Sequence, residues 1–237
     1  MLIKTCLSGL LLLGLVSCAT DPNHIPGPSG TVTREQAISI ARTYQQLQWT
    51  PTERNLLHGK DADGILVHTP DESLTKHGHR NGWWQPNLPM RGMPYQWGGF
   101  DTPIQFLKSI EKGEAAGDIA TNSKRHLDDD GTSAHACGID CSGFISRCWR
   151  LKRQYSTDEF HLICDPLPST KDLKSGDIML NDRHVLLFHQ WDNRYAGHMI
   201  VYESTPNPTW RVNIGSIPVD RLEKDGYRPW RYRRIKD

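Results

Sequence analysis

The chain has 237 residues, with 28 Lys and Arg against 27 Asp and Glu, and a formal charge of +1. So even a balance offers no electrostatic footprint for nucleic acid, and beyond the first 18 residues no segment is apolar enough to cross a membrane. The stretch from Thr31 onward, about 205 residues, suits one domain with a sizeable core, or one domain plus an extension.

Residues 1–17 read as a secretory signal: Lys4 precedes an apolar run from Leu10 to Val16 that is too short to span a bilayer. The small residue before Cys18 resembles the lipobox of bacterial lipoproteins, in which the cysteine is lipidated and becomes the first residue. Ala19 rather than Asp follows, so the expected location is the cell envelope, and in a Gram-negative cell the outer membrane facing the periplasm. Cleavage removes Lys4 and leaves a neutral chain. Residues 18–30, with three prolines and two glycines from Asp21 to Gly30, read as a flexible tether.

The mature domain is expected over 31–237. Thr33-x-x-Gln36 resembles a capping box, and Ala37, Ile38, Ile40, Ala41, Tyr44 and Leu47 form a helical stripe ending near Trp49 or Thr50, before Pro51. Residues 52–92 lack periodicity and read as an irregular wrap, so 31–93 forms an N-terminal extension. A helix is predicted over Pro103–Ile110, an exposed loop over 121–136, and a helix from Asp140 to about Lys152 with Asp140 as N-cap. Strands are predicted at Asp177–Leu180, His184–Trp191, Met199–Glu203, Trp210–Ile214 and Pro229–Ile235. Strands gathered after a central helix indicate an α+β fold with an antiparallel sheet.

The chemistry concentrates in Gly138-Ile139-Asp140-Cys141-Ser142-Gly143-Phe144. A cysteine at a helix start meets a partial positive charge that favours thiolate, the nucleophilic form. Ser142 and Gly143 leave room for a substrate. Cysteine catalysis also needs a base and a group to orient it. His184 opens one strand, and the next offers Tyr202 or Glu203, which alternation sends to opposite faces. A carboxylate would hold the imidazole and stabilise its protonated form, which favours Glu203. Of the other cysteines, Cys6 leaves with the signal. Cys137, Cys148 and Cys164 make no disulfide scaffold in a chain of this length, and Cys141 is expected free.

Four motifs in order resemble the NlpC-type cell-wall peptidases, papain-like cysteine peptidases of bacterial envelopes. Pro94-Tyr95-x-Trp97-Gly98-Gly99 looks like the aromatic and double-glycine motif, and Asp140–Phe144 like the nucleophile helix. Lys174-Ser175-Gly176-Asp177-Ile178 is similar to the turn entering the sheet, and His184-Val185 to the base. The resemblance implies a papain-like fold with the nucleophile helix packed on an antiparallel sheet. It implies Cys141 as nucleophile and His184 as base and then acid. Oxyanion and substrate contacts would come from the Cys141 N–H, Tyr95, Asp140, Ser142 and Trp97. The expected activity is hydrolysis of amide bonds in peptidoglycan stem peptides, as a D,L-endopeptidase, with no cofactor and no metal. Expected partners are the stem peptide and, through Cys18, a membrane. Two departures stand out. Residues 100–139 form an insertion where the family has a short loop, and the third catalytic position, commonly His, is matched here by Tyr202-Glu203.

Blander readings apply elsewhere. His77-Gly78-His79 and Asp128–Asp130 read as solvated loop rather than metal sites, His189 as structural, and His126, His135, His161 and His198 lack ligand spacing. Trp83, Trp84 and Trp97 read as packing, with a glycan groove as the alternative. A non-catalytic wall-binding lipoprotein and a Cys-His acyltransferase or lipid hydrolase are the competing functions.

Overall fold

A computed structural model describes residues 21–74, 82–127, 131–206 and 208–237. The signal peptide, Cys18, the His77–His79 pair and Asp128–Asp130 lie outside the described residues. The described chain is a mixed α/β structure built on one antiparallel sheet. Its six strands are β1 (Cys164–Pro166), β2 (Ile178–Leu180), β3 (Val185–Trp191), β4 (His198–Thr205), β5 (Arg211–Pro218) and β6 (Arg228–Tyr232). They run in the order β5-β4-β3-β2-β6-β1, every neighbour antiparallel. The helices are α1 (Arg34–Gln46), α2 (Pro103–Lys112), α3 (Asn122–Leu127), α4 (Cys141–Cys148) and α5 (Val219–Lys224). No helix among the described residues is long and apolar enough to cross a membrane.

Both faces of the sheet are covered, so its central strands are apolar almost throughout. On one face Val185, Leu187, Tyr202 and Val212 join Phe144, Ile145 and Cys148 of α4 and Ala37, Ile40, Ala41 and Tyr44 of α1 in the main core. On the other, Met179, Leu186, Phe188 and Val201 pack with Leu222 of α5. Phe144 is fully buried, a contribution of about 1.5–3 kcal/mol for such a side chain. Its ring meets Tyr44 edge-on at 5.7 Å, fixing α4 against α1. Trp49 and Trp84 belong to the same core, so the 52–92 wrap folds onto it.

Asp177 and Trp149 tie this layer to the strand entry. Asp177 is fully buried and lies 2.9 Å from Arg34 Nη1 and 2.7 Å from Arg231 Nη2. It also accepts from Lys174 N–H at 2.8 Å, closing the turn before β2. Gly176, inside that turn, has φ +88°, where a side chain would be strained. Its carbonyl accepts from Trp149 Nε1 at 2.9 Å, and Trp149 stacks on Tyr232 at 5.0 Å.

Thr33 and Gln36 form the capping box of α1, but α1 stops at Gln46. Gln48 and Trp49 instead pair with Met90 and Arg91, and Trp49 Nε1 donates to Gly92 O. Helix α4 ends at Cys148, short of the expected Lys152, because Arg150 turns into the left-handed region at φ +57°. The stretch 121–136 is not simply an exposed loop. It contains α3, capped by Thr121, with Lys124 buried and its Nζ 2.6 Å from Asp118 Oδ2. Nor does the segment before Thr31 hang free. Ser29 and Gly30 donate to Arg150 O, Arg150 Nε donates to Gly27 O, and Ile25 packs against the core.

Candidate active site

Cys141 is the first residue of α4, and the start of that helix is built by Asp140. The Asp140 carboxylate accepts from Gly143 N–H at 2.6 Å, Ser142 Oγ at 3.0 Å and Gln154 Nε2 at 2.9 Å. Burial raises its pKa to about 6 against the pull of those donors. The double glycine supplies the surface on which this turn rests. Asp140 N–H donates to Gly99 O, and a methyl group on Gly143 would fall 2.3 Å from that same oxygen. Gly98, at φ +69°, leaves no room for a side chain beside Thr132. The small residues around the nucleophile therefore let two backbones approach, as well as leaving space at the sulfur.

His184 is aimed by the turn between β2 and β3. Asn181 Oδ1 accepts from His184 N–H at 2.9 Å, and Asn181 N–H donates to His184 O. Its Nε2 lies 2.9 Å from Glu203 Oε2 on the neighbouring strand β4. The other ring nitrogen, Nδ1, is buried and has no further protein partner of ordinary hydrogen-bond geometry among the described residues. It is the nitrogen left to face Cys141, whose side chain acts on the ring chiefly by its charge. Burial alone would lower the His184 pKa; Cys141 and Glu203 together outweigh it and raise it to about 10. Burial likewise pushes Glu203 up, and the His184 hydrogen bond and charge bring it below the ordinary carboxylate range. Tyr202 points to the opposite face, into the main core, with its ring 5.7 Å from that of His189. His189 sits at a bulge in β3.

Cys141 opens onto a cleft of about 830 Å³. Tyr95, Trp97, Asp140 and Ser142 all line it, so these sequence-predicted substrate contacts share the cleft with the sulfur. The Tyr95 hydroxyl is held well above its ordinary pKa by burial, then by Cys141 and Asp140 nearby, and so remains a donor. Ser204 Oγ donates to Ile139 O at 2.7 Å, fastening β4 to the strand-like approach to Cys141. Sequence reasoning had no signal for two further neighbours. Gln154 reaches back from beyond α4 to Asp140, and Tyr227 meets the His184 ring edge-on at 6.4 Å. Cys137, Cys141, Cys148 and Cys164 are all free thiols. Among the described residues no group of His, Cys, Asp and Glu could hold a metal.

No protein-family model matches the chain, and no curated protein matches it at a significant level.

Proposed function

We propose that this protein is an envelope-anchored cysteine peptidase of papain-like fold that hydrolyses amide bonds in peptidoglycan stem peptides. The observation that carries the reading is the line from Cys141 through His184 to Glu203, buried at the edge of a cleft large enough for a short peptide. The signal-like leader and the lipobox-like Cys18 support the envelope setting, and the motif order supports the stem-peptide substrate.

In this mechanism the Cys141 thiolate attacks the amide carbon and forms a C–S bond. The carbonyl oxygen takes up the displaced electron pair. It is met by the Cys141 backbone N–H, which has no intrahelical acceptor at the first helical position, and by the Tyr95 hydroxyl. His184 gives its proton to the amide nitrogen as the C–N bond breaks and the amine leaves. It then takes a proton from water, whose oxygen attacks the thioester and restores the thiolate. Glu203 holds the imidazole in place and offsets its charge.

The cleft wall argues against a lipid substrate. Arg125, Asp140, Arg153, Asp158, Asp182 and Arg183 give it a charged lining that suits a polar chain. The test is to incubate purified sacculi with wild type and Cys141→Ala. Soluble peptides from wild type alone are expected; identical products from both would refute the reading.

A further inference from the structure

The inference drawn here rests on the peptidase reading of the cleft and concerns what the cleft selects. Arg125 belongs to α3, inside the insertion, and lines the cleft together with Cys141. Its guanidinium lies 5.5 Å from the centre of the Trp97 ring, which gives the charge a flat platform. That charge also acts on Tyr95, where it opposes burial, Cys141 and Asp140. Arg125, Trp97 and Tyr95 thus line the same cleft as the nucleophile.

Two neighbouring cations are already used, while Arg183 also lines the cleft. Arg153 makes two N–H bonds to Glu159, at 2.7 and 3.1 Å, and Lys124 is bound to Asp118 at 2.6 Å. Among the described residues no carboxylate pairs with Arg125. A planar, permanently charged fork, stacked on Trp97 in the cleft of the nucleophile and without a carboxylate partner among the described residues, matches the geometry of a carboxylate. We infer that Arg125 is a specificity residue, and that it takes a free carboxylate on the substrate residue next to the scissile bond, on the Tyr95–Trp97 side of Cys141. Anionic peptides are then preferred over peptides in which that carboxylate is a carboxamide.

Binding and turnover separate this inference from the reading beneath it. Two peptides that differ only in carboxylate or carboxamide at that residue are titrated calorimetrically into Cys141→Ala. The carboxylate form should bind about tenfold tighter or more, as expected for a charge-assisted hydrogen bond pair. Adding Arg125→Gln should bring the ratio close to one without weakening carboxamide binding, which also shows that the variant is folded. Arg125→Lys should recover part of the ratio, and Arg183→Gln should keep it. Equal affinity in the Arg125-containing protein, a ratio that survives Arg125→Gln, or a ratio lost in Arg183→Gln instead would overturn the assignment. Cleavage by the wild-type protein is read separately. Arg125-dependent binding without any turnover would refute the peptidase and leave the carboxylate site standing.

Discussion

Replacing Glu203 by Gln keeps the size of the side chain and removes the charge opposite His184. The two side chains are 14% and 13% exposed, so solvent screens the pair only weakly. The rise of the His184 pKa from 6.5 to about 10 is a gain of about three thousandfold in proton affinity, on the order of 4–5 kcal/mol. Cys141 and Glu203 share it, so removing the carboxylate charge gives up part of that gain. In Glu203→Gln the basic limb of kcat/KM against pH should therefore move down by more than about one pH unit, and kcat should fall roughly ten- to a hundredfold. Cys141→Ala should retain essentially nothing. A stability signature accompanies the kinetic one. The raised His184 pKa contributes fully below its ordinary value of 6.5 and is lost as pH rises toward about 10. The depressed Glu203 pKa adds stability above its ordinary 4.5 and loses it as pH falls. The variant's deficit in urea midpoint should thus be greatest near pH 5–6.5 and shrink toward pH 10. An unmoved basic limb with near-wild-type kcat in Glu203→Gln, beside a large loss in Tyr202→Phe, would refute the reasoning.

Iodoacetamide at neutral pH should label Cys141 first in the folded protein. Cys141 is 8% exposed and opens onto the cleft, whereas Cys137, Cys148 and Cys164 are at most 1% exposed and pushed up in pKa by burial; peptide mapping that finds Cys137 or Cys164 labelled ahead of it would count against the assignment. Asp177→Ala leaves two guanidinium groups facing a buried gap and should cost about 3–5 kcal/mol in chemical denaturation. A loss under about 1 kcal/mol would mean that Arg34 and Arg231 find other partners at no cost.

The parts of this structure that sequence could reach are those with a repeating or local cause. The apolar stripe of α1, its Thr33–Gln36 cap and the alternation of β4 follow from the chain's own periodicities, and so does the separation of Glu203 from Tyr202. What sequence could not reach depends on partners far away in the chain. Lys124 and Arg125 look like loop residues until Asp118 and Trp97 are seen to receive them. The early end of α4 depends on Arg150, whose carbonyl and side chain are held by residues 27–30. The short strand β1 was invisible because Asp165 and Pro166 carry no strand signal; it exists through its pairing with β6. For the site, the residue types and their order were legible. The aim of His184 was not, because it is set by Asn181 in a turn with no distinctive composition.

The clasp between residues 27–30 and Arg150 also sets a radius of action. Should Cys18 carry the proposed lipid, only the seven residues from Cys18 to His24 lie between the bilayer and Ile25, where the chain docks. Fully extended, they span about 25 Å. Held on so short a leash, each molecule samples only the layer of wall nearest its membrane, where the leash sets its effective concentration. Inserting about twenty Gly and Ser residues after Thr20 should let it reach deeper glycan strands, measurable as more soluble peptide per anchored molecule. No gain would mean that the clasp opens in the envelope and that reach is already free.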